Sequence, residues 1–137
     1  MMTKKISYES IPEFEKDFKR LGKKFKTLKD DFETMKRFTL ETHYLQGVPT
    51  TALFPIEGFC SEDYKSVKVK KFACMSLSGR GGNSGIRVIF VVELEALKIT
   101  FIEIYFKGDK KLEDRTRLST FLKKLEDGKQ YPGFYLC

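Results

Sequence analysis

The sequence predicts an α+β domain in which an N-terminal strand and a helical hairpin pack on a small twisted antiparallel sheet, with a helix closing the chain. Between Ile11 and Leu40 apolar residues recur at three- and four-residue steps, the period of one helical face. The runs Ser66 to Leu77, Ile86 to Glu95 and Leu97 to Phe106 are strand-like, and their short connections make them an antiparallel meander. From about Asp109 to Asp127 the helical period returns. With 137 residues and no internal repeat, the chain reads as a single domain, 1–137. A chain of this length buries roughly two-thirds of its unfolded surface.

The elements follow in order. A short strand is expected at about Lys4 to Tyr8. Ser10-Ile11-Pro12-Glu13 then combines capping-box spacing with a proline tolerated in a first helical turn. Its stripe is Ile11, Phe14, Phe18, Leu21 and Phe25, with Lys16, Lys19, Arg20, Lys23 and Lys24 on the other side. Thr27-Leu28-Lys29-Asp30 repeats the capping-box spacing and opens a second helix with the stripe Leu28, Phe32, Met35 and Phe38. Gly22 and the turn near Phe25 to Thr27 leave a short link, so the two helices form a hairpin. His43, the lone histidine, reads as a cap or packing residue rather than a base. Gln46 to Ser66, with Gly47, Pro49, Pro55 and Gly58, reads as loop with at most a brief strand. Ser78 to Gly85 is rich in glycine but lacks the Lys-Ser/Thr and helix of a P-loop, and Gly85 leads straight into a strand. In the terminal helix Leu118, Phe121, Leu122 and Leu125 share a stripe, acids come early, lysines late, and Gly128 is the stop.

A formal net charge of +7 and a pI near 9.3 suit a partner that carries phosphates or an acidic surface. The cysteines Cys60, Cys74 and Cys137 have no metal-ligand spacing, and one histidine excludes a His-rich metal site, so no metal or cofactor is expected. No run approaches the ~20 apolar residues of a membrane span, and the N-terminus lacks an apolar signal core. A cytoplasmic protein is the expectation.

One strand carries the chemistry. In Gly85-Ile86-Arg87-Val88-Ile89-Phe90-Val91-Val92, alternation sends Ile86, Val88, Phe90 and Val92 into a core and Arg87 to the opposite face. A guanidinium on a rigid sheet is pre-organised to grip a phosphate, or else pairs with a neighbouring strand's Glu.

Two segments resemble the RelE/ParE superfamily of toxins from type II toxin–antitoxin systems. Phe14-Glu15-Lys16-Asp17-Phe18-Lys19-Arg20-Leu21-Gly22-Lys23-Lys24-Phe25 is similar to the first helix of these toxins. Ser84 to Phe90, continued by Ile102-Glu103-Ile104-Tyr105-Phe106-Lys107, is similar to their central strands. The resemblance implies a RelE/ParE-like fold and a cytoplasmic toxin held in check by an acidic antitoxin encoded nearby. In the ribonuclease branch it implies cleavage of ribosome-bound mRNA by a metal-independent basic site on the sheet face. That chemistry needs a base for the ribose 2′-hydroxyl, cations for the phosphate and a proton donor for the leaving oxygen.

Arg87 maps onto the strand arginine that contacts the scissile phosphate. Lys68 and Lys70 fall close to the paired lysines of the preceding strand, or form a solvated face. If the hairpin closes tightly, Ala73, Cys74 and Met75 lie opposite Arg87 instead. On the last strand Ile102, Ile104 and Phe106 share the apolar parity and leave Glu103, Tyr105 and Lys107 outward. Glu103 is then a base, an orienting group or an ion-pair partner of Arg87; Tyr105 stacks on a base or packs; Lys107 binds phosphate. Lys71 and Arg80 are candidate RNA contacts. Gly108 and Asp109 stand where some members carry an arginine or histidine, and no tyrosine follows soon after. Two alternatives stay open: a ParE-like toxin that binds and inhibits DNA gyrase without catalysis, and a partner-binding module with a degraded site.

Overall fold

The computed structural model describes residues 4–77 and 83–129. Its elements are β1 (Ser7–Ser10), α1 (Pro12–Lys24), α2 (Leu28–Met35), a π-helical turn (Lys36–Glu41), α3 (Thr42–Tyr44), β2 (Leu53–Pro55), β3 (Tyr64–Val69), a 3-10 turn (Met75–Leu77), β4 (Ile86–Glu93), β5 (Lys98–Phe106) and α4 (Arg115–Lys129). They form the predicted α+β architecture. The five-stranded sheet has the order β1-β5-β4-β3-β2. The meander β3-β4-β5 is antiparallel, β2 adds antiparallel to β3, and β1 runs parallel to β5, so the sheet is mixed at that edge. β1 starts three residues later than expected, and α1 follows it after Ile11 alone.

Both capping-box spacings occur without the backbone caps they suggest. Ile11 and Thr27 are the N-caps and neither makes a side-chain cap bond. Ser10 Oγ donates to Glu15, and Thr27 Oγ1 donates to Asp31 Oδ2 at 2.7 Å. Pro12 occupies the first turn of α1, where its missing N–H costs nothing. Phe14, Leu21, Phe25, Leu28, Phe32 and Met35 are buried as the stripes require, against Val67, Val88, Phe90 and Phe101 of the sheet. Phe18 is only partly buried at the edge of this cluster. Phe38 is 67% exposed. The π-helical turn explains that: it takes more residues per turn, so the burial step after Met35 is to Leu40 and the 3.6-residue stripe no longer predicts the face.

The opposite face of the sheet holds a second core, in which Leu118 and Leu122 of α4 pack on Tyr64, Ile89, Val91, Ile102 and Tyr105. The helix begins at Arg115, six residues later than expected, because Asp114 caps it: its Oδ1 accepts from the Arg117 N–H at 2.9 Å. A β-bulge corrects the expected parity of β5. Ile89 faces Glu103 while Phe90 faces Phe101, so Ile102 is the extra residue. It leaves the side of Ile104 and Phe106 and joins the α4 core, next to Glu103. Its carbonyl accepts from Arg117 Nη1 at 3.0 Å.

Candidate phosphate-binding face

The register of β3 against β4 decides which side chains meet. Val69 pairs with Val88 and Lys68 with Ile89, and Arg87 Nη1 donates to the Lys70 carbonyl at 2.9 Å. The hairpin therefore does not close tightly: β3 ends at Val69, and 70–77 leave the ladder with a 3-10 turn. Ala73, Cys74 and Met75 are not opposite Arg87; Lys70 is, with Lys68 one step along the same face. Tyr105 is the partner of Arg87 on β5. Lys68, Lys70, Arg87, Glu103, Tyr105 and Lys107 thus share one face, the side opposite the helical hairpin, as parity requires.

Their environments differ sharply. Arg87 is half-buried, with Nη1 held by the carbonyls of Lys70 and, at 3.4 Å, Ile86. Among the described residues it forms no ion pair, so the expected Arg87–Glu103 alternative does not form. Glu103 lies two residue pairs further along the ladder, beside Ile89, and is buried. There Lys110 Nζ donates to its Oε2 and the Asp114 N–H to its Oε1 at 2.7 Å. Both oxygens of Glu103 are therefore occupied here, by Lys110 and by the Asp114 N–H, rather than free to take a proton. Tyr105 is 5% exposed, and its ring is enclosed rather than offered for stacking. Burial, with Glu113 and Glu103 nearby, pushes its phenol up to about 12, while Arg87 pulls the other way. That corrects the stacking expectation.

Lys68 is inserted under the connection between β5 and α4, where its ammonium pairs with Glu113. The Glu113 side chain is 1% exposed, and Arg115 Nε reaches its other oxygen at 3.2 Å. Burial pushes the Glu113 carboxyl up, but Lys68 and Arg115 together more than offset this and hold it below the usual carboxylate range. Lys68 is therefore held in a buried pair with Glu113, which is neither a free cation nor the solvated face expected as its alternative. Lys70 and Lys107 are exposed; Lys70 Nζ sits 4.4 Å from the Phe54 ring centroid, and Lys107 donates its backbone N–H to Gly85 at 2.8 Å. Lys71 is on the far side of the strand, bonded to Thr51 Oγ1 at 2.5 Å. Arg80 lies outside the described residues. At Gly108 a Cβ would come within 2.5 Å of the Phe106 ring, which bars the side chain that the resemblance leads one to expect there.

His43 bonds the Val48 carbonyl at 3.0 Å through Nδ1 and packs edge-on against Tyr44, whose ring meets Phe90 in the hairpin-side core. It lies across the sheet from Arg87. Among the described residues the face therefore offers cations for negative charge and no unoccupied general base. No three His, Cys, Asp or Glu side chains among them converge on a metal-sized site.

Several participants were not singled out in the sequence. Lys110, Glu113, Asp114 and Arg115 fall where the helical period predicts the start of the last helix; the charge run Asp109 to Arg117 is the signal in the sequence that this segment is a strap over the sheet. Arg117 Nη1 meets Asp17 Oδ2 at 2.6 Å and ties α4 to α1, a contact between residues one hundred positions apart. Phe54 flanks the cations from β2, hidden in what read as loop.

No protein-family profile and no curated protein matches the chain. Among solved structures it is similar to the archaeal RelE–RelB complex from Pyrococcus horikoshii, at 13% identity over 78% of this chain and 98% of that one, with a TM-score of 0.46. A likeness this distant assigns neither family nor activity. No helix among the described residues is long and apolar enough to cross a membrane.

Proposed function

We propose that this chain is the toxin of a type II toxin–antitoxin pair, acting in the cytoplasm on ribosome-bound mRNA through the cationic face of its sheet. The observation that supports the reading best is Arg87: half-buried, fixed to the Lys70 carbonyl by one nitrogen, and left without a carboxylate among the described residues. Lys70 and Lys107 flank it with exposed ammonium groups. An antitoxin with an acidic segment is the matching inhibitor for a chain of net charge +7.

On this reading the face contributes charge stabilisation and positioning to phosphodiester cleavage. The engagement of Glu103 and Tyr105 supports a second reading, a toxin that binds its target without cleaving it, as a gyrase-directed ParE-like protein does.

Incubating the purified chain with programmed ribosomes and end-labelled mRNA separates these. Ribosome-dependent cleavage products support the nuclease. Intact mRNA retained by the protein supports RNA binding without cleavage. Intact, unbound mRNA together with loss of gyrase supercoiling would overturn the RNA reading.

A further inference from the structure

Phe54 pairs with Lys68 across the β2–β3 ladder, and alternation puts the two on one face, while its neighbour Leu53 packs against the hairpin-side core. Pro55 suits the edge position of β2. Phe54 is 39% exposed, with the Lys70 ammonium above its ring. Scattered exposed apolar residues are ordinary. This ring instead forms a wall of a groove of about 220 Å³ that Lys68, Lys70 and Arg115 also line. Two carboxylates also line it: Glu113, whose charge is taken by Lys68 and Arg115, and Glu57, which is exposed at the rim, so three cations face two acids and Lys70, outside the Glu113 pair, is the cation open to a ligand.

We infer that Phe54 is a stacking platform for an unpaired nucleobase, so that this face takes single-stranded RNA by a base as well as by its phosphates. The inference rests on the RNA-directed reading above and deepens it, because it requires a strand whose bases are free. A flat aromatic ring beside cations is the arrangement by which single strands are held without sequence readout. The Lys70 ammonium, on a flexible stem, moves from the ring to the phosphate as the base takes its place over the ring. Arg87 lies two strands away, at about 4.8 Å per strand, so one RNA segment can meet the ring and the guanidinium together. A duplex cannot, since its bases are stacked on one another.

The chain contains no tryptophan, so Phe54→Trp installs a single emitter at the site. The variant is titrated with oligoadenylate and with inorganic polyphosphate, which carries the charge without bases. Oligoadenylate is expected to quench the emission, and polyphosphate to bind without doing so. Phe54→Ala should weaken oligoadenylate binding about tenfold or more and leave polyphosphate binding within about twofold, with Phe54→Tyr restoring most of the loss. If both ligands bind but Phe54→Ala treats them alike, or the emission responds to both equally, stacking is overturned and the phosphate-binding face stands. If neither ligand binds the wild-type chain, the RNA-directed reading falls and this inference with it. Melting curves confirm that each variant is folded.

Discussion

Replacing Lys68 by Ala removes the ammonium that stands against Glu113, a carboxylate with a side chain 1% exposed. Arg115 remains 3.2 Å away, but its own side chain is 59% exposed and water screens it. Removing one member of a buried pair costs about 3–5 kcal/mol; with Arg115 still in reach we expect about 2–3 kcal/mol, a fall in Tm of about 6–12 °C for a chain of this length. The pH dependence has a definite sign. The folded-state pKa of Glu113 is held below its ordinary value of 4.5, so the pair's stabilisation is fully present above 4.5 and is lost as pH falls through the lower, folded value. The gap between wild type and Lys68→Ala is therefore wide at neutral pH and closes in acid, where the carboxyl is protonated in both. Thermal unfolding followed by circular dichroism across this range measures it. A Tm within a degree of wild type at neutral pH, or a gap that persists unchanged in acid, would refute the commitment of Lys68 to the fold.

Further expectations follow from burial and charge. Phe14→Ala should cost about 3–5 kcal/mol in denaturant unfolding and the partly buried Phe18→Ala about half of that, so equal losses would contradict the placement of α1. Arg117→Ala leaves Asp17 with Arg20 alone, whose side chain is 73% exposed, and should cost about 2–4 kcal/mol while RNA affinity in the folded protein is unchanged; a selective loss of affinity would put Arg117 in the binding face. If Lys70, Arg87 and Lys107 each contact a phosphate, log K should fall with log salt at a slope of about −2, and Lys107→Ala should make it shallower by about 0.7. A slope unchanged by that substitution would remove Lys107 from the set.

The parts of the fold that repeat a period were legible. Alternation placed Arg87 opposite the hairpin core, and the helical stripe found Phe14, Leu21, Phe32 and Met35. Departures from a period were not. The π-helical turn exposed Phe38, and the bulge moved Ile102 to the other side of the sheet; each is a one-residue irregularity that composition does not mark. The site was legible as a face and not as a set of roles. Parity brought Lys68, Lys70, Arg87, Glu103, Tyr105 and Lys107 together, but their roles depend on what covers them. The strap from Lys107 to Asp114 supplies Lys110 to Glu103, seven residues back on β5, and Glu113 to Lys68 on a strand distant in sequence. Once those acids are paired, Arg87 is left without a carboxylate among the described residues.

Arg87 therefore carries the most direct test. The affinity of single-stranded RNA for wild type, Arg87→Ala and Arg87→Lys, measured beside the melting temperature of each, separates binding from folding. The account predicts that Arg87→Ala loses about tenfold or more in affinity, since charge-assisted contacts to phosphate are worth about 1.5–3 kcal/mol, while its Tm stays close to wild type. Arg87→Lys should recover only part of the loss, because an ammonium does not reproduce the planar fork. A folded Arg87→Ala protein that binds RNA as tightly as wild type would contradict the claim that this face is built to hold phosphate.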